Sequence, residues 1–322
     1  MTAESGAYAV DELTFEWNGL TLAGTLHRPS LGTEPAPAAL LLQGSGASDR
    51  HSNGFFGPIR AAFLDQGIAT FAFDKPGCGA STGDWRRHGL EDRADQTQAA
   101  LERLQHCTAV DADRLGVFGH SQGGWLVQML AAELPDLTFA IANSAPSIGV
   151  ADQDLHGCEH TLRNRGFDES AIADAVAFVA AVHEAARRNN SFETVQAELL
   201  SAAVVQPWYG YLTIDDEDDW TMACVWATEL YDPIDALQRI RCPFLAVYGA
   251  LDPLLPPWRS ARETAAALLE GGAEDATVVV MPTGNHRIQH DDTEEFVEGY
   301  LDLLGDWAAR RATDRSGRAE AN

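Results

Sequence analysis

Ser121 stands at the centre of Gly119-His120-Ser121-Gln122-Gly123, a G-x-S-x-G pentapeptide. Where this pattern joins a strand to a helix, the serine occupies a sharp turn that presents its hydroxyl, and glycines on both flanks let neighbouring backbone press close. A serine hydroxyl is a weak nucleophile near neutral pH and needs a base held beside it. Of the ten histidines, His286 in Gly284-Asn285-His286 follows the last expected strand, where a sheet's carboxyl edge would bring it over Ser121. His120 adjoins the serine but is expected to point to the opposite side of the turn and to be structural. His51, His88, His106, His156, His160, His183 and His290 fall in loops or on helices and read mostly as surface residues. The base in turn needs an acid to fix its tautomer and stabilise the imidazolium. Asp252, in Gly249-Ala250-Leu251-Asp252-Pro253, follows an earlier strand, whereas Asp232 and Asp235 end a long helical stretch and are poorer candidates.

Acyl transfer also needs donors for the oxyanion of a tetrahedral intermediate. The N–H of Gln122, directly after the nucleophile, is the first. The second is expected from Gln43-Gly44-Ser45-Gly46, after another apolar run, with the N–H of Ser45 preferred and that of Gly46 as the alternative.

Residues at these positions meet only if a sheet collects them at one edge. The segment 11–27 alternates on both sides of Asn18-Gly19, a strong hairpin signal. Short apolar runs at 38–42, 68–73, 114–118 and 139–142 read as buried strands, separated by helical spacing at 58–66, at Ala94, Leu101 and Leu104, and from Trp125 to the 129–130 pair. Strand alternating with helix at these lengths means a mostly parallel sheet covered by helices on both faces. The alternation stops near Ser144, and from 149 to about 231 only helical stretches follow. It resumes with strands at 243–248 and 277–281, a helix at 260–269, and a closing helix carrying Phe296, Tyr300, Leu304 and Trp307 on one face. Two strands are too few for a second sheet, so the middle block is read as an insertion. The expected organisation is a core from 1 to 148, a helical cap insertion from 149 to 235, the rest of the core from 236 to 312, and a frayed polar tail from 313 to 322.

Composition limits the partners. A formal charge of −26 in 322 residues should repel nucleic acid and anionic lipid. No apolar run approaches the roughly 18 residues that a membrane span requires. The five cysteines are odd in number and lack C-x-x-C spacing. They argue against a disulfide framework or a zinc site and for a reducing cytoplasm, and no signal peptide is read at the start. No metal and no cofactor are expected.

Several of these segments, taken together, resemble one branch of the bacterial α/β-hydrolases. Gln43-Gly44-Ser45-Gly46-Ala47-Ser48-Asp49-Arg50 is similar to its GSG-x-x-DR oxyanion segment, and the run from Phe73 through Asp74-Lys75-Pro76-Gly77-Cys78-Gly79-Ala80-Ser81 is similar to its D-x-R-G-x-G-x-S turn. The nucleophile, Asp252 and His286 motifs complete the set, in the chain order Ser, Asp, His of that fold. The branch includes carboxylesterase, serine aminopeptidase-like and dienelactone hydrolase-like members, and the resemblance spans about residues 13–307. It implies an α/β-hydrolase fold and acyl hydrolysis without naming the acyl group. Two positions depart from the pattern. Pro76 stands where arginine is more frequent, which puts a local ion pair in doubt, and Gln43 stands where many relatives have histidine.

An insertion at this point would cover the sheet's carboxyl edge. Trp208, Trp220 and Trp226 could line an apolar substrate site there, or simply form the insertion's own core. The run Asp215-Asp216-Glu217-Asp218-Asp219 reads as a solvated loop that could otherwise attract a cationic substrate. The leading expectation is hydrolysis of a small-molecule carboxylic ester by a monomer or homodimer. A peptidase or amidase, with Glu159, Glu229 or the acidic run as amine anchor, comes second. A thioesterase or acyltransferase follows, and last a non-catalytic small-molecule receptor. Dehalogenase and epoxide-hydrolase chemistry would need aspartate at position 121.

Overall fold

The computed structural model describes residues 8–30, 35–212, 214–227 and 229–313. Its chain begins as the hairpin the alternation predicts. Strands β1 (Tyr8–Trp17) and β2 (Leu20–Pro29) pair in antiparallel register across Asn18 and Gly19, both at positive φ (44° and 77°). Two positive φ values are what a tight type I′ connection demands, and Asn-Gly tolerates them best.

Six further strands follow, namely β3 (Ala36–Leu42), β4 (Ala69–Phe73), β5 (Val110–His120), β6 (Phe139–Asn143), β7 (Phe244–Gly249) and β8 (Ala276–Met281). The sheet order is β1-β2-β4-β3-β5-β6-β7-β8, antiparallel through β4 and parallel from β4 onward. All six parallel strands therefore end at the same edge. Their period-2 side chains feed two separate cores. Ala38, Leu40 and Leu42 of β3, with Phe244, Ala246 and Tyr248 of β7, face one; Ala39, Leu41, Leu245 and Val247 face the other. The first core is closed by α2 (Leu90–Gln105) and α3 (Gln122–Glu133), the second by α1 (Phe56–Asp65). Both faces being covered explains why the central strands are continuously apolar rather than alternating.

Between β6 and β7 the chain is helical. It runs through α4 (Val150–Asn164), α5 (Glu169–Arg187), α6 (Phe192–Val195), a π turn (Gln196–Leu200), α7 (Ser201–Ala203) and α8 (Glu217–Ala227). These helices share a third apolar cluster of their own, which includes Cys158, Leu162, Ile172, Val182, Trp208 and Trp220. The next helix, α9 (Pro233–Arg239), returns to the sheet, and its Leu237 joins the first core. The expected boundary at 235 thus falls inside a helix of the sheet layer. Asp232 caps that helix, accepting a 2.9 Å hydrogen bond from the Ile234 N–H.

After β7 come α10 (Pro257–Gly271) and, after β8, α11 (Tyr300–Thr313). The closing helix starts later than its apolar spacing predicts. Gly299, at φ 79°, turns the chain immediately before Tyr300, and Phe296 lies outside the helix in an isolated bridge with Gln289. Phe296 still reaches the second core by stacking on Tyr300 with ring centroids 5.3 Å apart. The expected polar tail, from residue 314 on, lies outside the described residues. Among the described residues no helix is long and apolar enough to cross a membrane.

Candidate active site

Ser121 is placed at the carboxyl end of β5, where the strand turns into α3, with φ 55° and ψ −119°. A non-glycine residue at positive φ is strained, and such strain persists only where surrounding contacts over-determine it. Those contacts are visible in the flanking glycines. A Cβ on Gly119 would lie 2.0 Å from the Gly123 carbonyl oxygen, and one on Gly123 would lie 2.3 Å from that of Leu42. The start of α3 is therefore packed against the end of β3. The loop after that strand touches Ser121, since a Cβ on Gly44 would sit 3.3 Å from Ser121 Cβ.

His286 and Asp252 arrive from the ends of β8 and β7. A Cβ on Gly249 would meet the Asn285 carbonyl oxygen at 2.1 Å, so the two loops lie against each other. His286 Nδ1 is 2.7 Å from Asp252 Oδ2. Asp252 is buried, and its other oxygen accepts from the Leu254 and Leu255 N–H groups at 2.8 and 3.3 Å. Donation of the Nδ1–H to Asp252 selects the tautomer with an acceptor at His286 Nε2. Asn285 shapes the loop, its Oδ1 accepting from the N–H groups of Arg287 and Gln289 at 2.8 and 3.1 Å.

His120 does not turn away from the base, as the sequence alone led us to expect. Its ring is 4.9 Å from the His286 ring and 4.7 Å from Phe55. Its role is nevertheless structural. The Asn143 amide lies 3.0 Å from His120 Nδ1 and accepts from the Tyr300 hydroxyl at 2.8 Å. Burial, then His286 and Arg287, hold His120 well below the ordinary histidine range, so it stays neutral.

The 43–46 loop is anchored by the chain's only lysine. Lys75 Nζ donates to the Gly44 and Gly46 carbonyls at 2.5 and 2.6 Å. The Gly44 carbonyl and the Ser45 N–H belong to one trans peptide, so they point in opposite directions. Holding the carbonyl down on Lys75 turns the Ser45 N–H away from it. Arg93 Nη2 donates to the Gln43 carbonyl at 3.3 Å, and Gln43 Nε2 bridges the Asp49 and Phe73 carbonyls. Asp74, two residues before Pro76, has an ion pair of its own. Arg50 grips Asp74 through Nε at 3.0 Å and Nη2 at 2.6 Å, and the Arg50 and Ala80 N–H groups complete the shell. Although burial acts to raise it, these bonds hold the Asp74 carboxyl below its ordinary range. None of Lys75, Arg93 and Arg50 was given a role of its own from the sequence.

Ser121, Gln122 and Ser45 share the floor of one cavity of about 540 Å³. Its walls are largely apolar and come from α4, α5 and α8, with Trp85 and Trp125 from the sheet layer. Of the three tryptophans expected against a substrate, Trp226 alone lines it. Trp208 and Trp220 are buried in the helical block's own core, where the Trp220 indole N–H donates to the Asn190 carbonyl at 3.0 Å. Helical spacing could not separate these fates, because a wall residue and a core residue of a small helical layer both sit on its inner face. Asp154 and His183 also line the cavity, with carboxylate and ring nitrogen 3.3 Å apart. His183 is buried rather than superficial. Glu159 is tied to Arg163, Glu229 accepts from the Leu90 N–H, and the acidic run caps the start of α8; none of them lines the cavity. Among the described residues, no three His, Cys, Asp or Glu side chains converge as a metal site would require.

Fold and site define a class. The chain matches the family described as the alpha/beta hydrolase family over residues 39–299 and belongs to it. Residues of this chain are 30% identical over 142 positions to the esterase FrsA of Yersinia enterocolitica, covering 44% of this chain. The match spans about a third (33%) of that relative's length. An esterase of Pyrococcus furiosus superposes with a TM-score of 0.64 at 15% identity, covering 95% of this chain and 92% of that one. The 2,6-dihydroxy-pseudo-oxynicotine hydrolase superposes with a TM-score of 0.60 at 20% identity, covering 95% and 68%. At such identities the two structures speak for the fold alone.

Proposed function

We propose that this protein hydrolyses a small-molecule carboxylic ester through an acyl-enzyme on Ser121. The observation that carries the reading is the 2.7 Å contact between His286 Nδ1 and buried Asp252, at the edge where Ser121 is held at φ 55°. In this scheme His286 Nε2 takes the Ser121 proton as the hydroxyl attacks the ester carbonyl. The N–H groups of Ser45 and Gln122 receive the oxyanion, and collapse expels the alcohol, protonated by His286. Water then repeats the sequence and frees Ser121. The helices between β6 and β7 act as a cap whose apolar wall selects the substrate, in keeping with a bulky or aromatic group rather than acetate alone. The esterase name of the Yersinia relative supports the same reaction class.

One observation favours amide cleavage as a second reading. Asp154 offers a partly exposed carboxylate inside the cavity, where a substrate amine could pair with it. The experiment compares initial rates on nitrophenyl acetate, butyrate and octanoate and on an aminoacyl nitroanilide, with wild type and Ser121→Ala. Ester turnover rising with acyl size and abolished in the variant is expected. Nitroanilide cleavage exceeding ester cleavage would move the assignment to an amidase, and a variant as active as wild type would remove Ser121 from the mechanism.

A further inference from the structure

Behind the oxyanion loop lies a second, much smaller cavity of about 10 Å³, lined by Lys75, Arg93, Gln96, His88, Trp226 and the Gln122 turn. Two of its donors have no partner. Arg93 Nη1 and Gln96 Nε2 are buried without a hydrogen-bond partner, in side chains 7% and 1% exposed. Lys75 spends its bonds on two neutral carbonyls, and Arg93 on one. Among the described residues neither cation forms an ion pair with a carboxylate. Nearby Asp92 pairs with His88, and Glu229 is engaged by the Leu90 N–H.

A positive side chain without a counter-charge is an expensive arrangement in a low-dielectric interior, and burial, then Arg93, pushes Lys75 well below its ordinary range. Burial pushes Arg93 down to about 9, which still leaves it charged at neutral pH. An unsatisfied donor beside it adds its own desolvation penalty. The volume decides what can compensate. About 10 Å³ is room for a single water-sized sphere and not for a carboxylate or phosphate.

We propose that this cavity is a binding site for a monatomic anion, chloride being the available one, held by Arg93, Gln96 and Lys75 behind the 43–46 loop. The anion supplies the missing counter-charge, accepts from Arg93 Nη1 and Gln96 Nε2, and keeps the ammonium of Lys75 charged on the loop carbonyls. The site goes beyond the esterase reading and does not depend on it, because binding has a readout without substrate. In a chain of charge −26 the surface does not gather anions, so uptake reports this buried cluster rather than general attraction.

The test uses the full chain in sodium chloride against sodium gluconate at constant ionic strength, alongside crystals soaked in sodium bromide. Wild type is expected to gain about 3–5 °C in Tm with saturation as chloride replaces gluconate. Bromide should give an anomalous peak between Arg93 and Gln96. Gln96→Glu places a carboxylate in the cavity, so its Tm should be independent of chloride. A flat chloride response in wild type, a water without anomalous signal in the cavity, or an undiminished response in Gln96→Glu would each overturn the proposal. Should Gln96→Glu fail to fold, the wild-type titration and the bromide peak decide the matter alone.

Discussion

Replacing Lys75 with methionine separates what the buried ammonium does for the fold from what it does for the reaction. Methionine keeps the unbranched stem and approximate volume while deleting the donors to Gly44 and Gly46. Bonds from a charged donor contribute roughly 1.5–3 kcal/mol each, about 3–6 kcal/mol together. Removing the ammonium also removes its desolvation penalty, several kcal/mol for a buried ion. These terms oppose each other, so stability should change by no more than about 2 kcal/mol. Catalysis has no such offset. Without the anchor the Gly44–Ser45 peptide is free to rotate, and losing one oxyanion donor costs about 100- to 1,000-fold in kcat. The Gln122 donor is untouched at the start of α3, and the loop retains its Gln43 and Arg50 ties. A fall of about 10- to 100-fold in kcat with little change in KM is therefore expected, measured on a nitrophenyl ester with melting curves taken in parallel. Lys75→Gln, whose amide can still reach one carbonyl, should recover part of the loss. A variant within twofold of wild type in kcat would refute the reasoning, and a raised KM with unchanged kcat would mean that Lys75 shapes substrate binding and not the transition state.

Two further outcomes follow from burial. His27 lies 8% exposed on β2, and burial, with Arg60 and His51, lowers its pKa to about 4. The unfolded chain then takes up a proton before the folded one, so stability is full above the ordinary histidine value of about 6.5 and is lost as pH falls toward 4. His27→Phe should remove on the order of 2 kcal/mol of that acid sensitivity, read as the difference in Tm between pH 7 and pH 4 for variant and wild type. The tryptophans give an opposed pair. Trp226→Ala should shift the acyl-length profile toward larger esters, whereas Trp208→Ala should cost about 3–5 kcal/mol in stability and leave the profile of the folded fraction unchanged.

How much of this was readable from residue order depends on how local the cause is. The hairpin at Asn18-Gly19 and the turn at Ser121 are set by a few adjacent residues, and the structure has both. The parallel strands are signalled by short, mostly apolar runs. Phe296 misled because its spacing to Tyr300 is helical while Gly299 between them takes a positive φ. Motif order pointed to Asp252 as the partner of His286, and the two are in hydrogen-bond contact. The roles of Lys75, Arg93 and Asp154 were invisible for a different reason. Each is defined by partners 29 or more residues away, and nothing in its immediate sequence marks whether a charged side chain is buried.

The helices between β6 and β7 carry an apolar cluster separate from the two that flank the sheet. A mutation that reshapes the wall of the large cavity therefore draws on the packing of that block, while the strands that hold Ser121, Asp252 and His286 keep their own support. Chemistry and clientele are in this sense inherited on different loans of stability. If Ser121, Asp252 and His286 react as proposed, a lineage can exchange one set of substrates for another by rewriting the stretch from α4 to α8, with those three residues passed on unaltered.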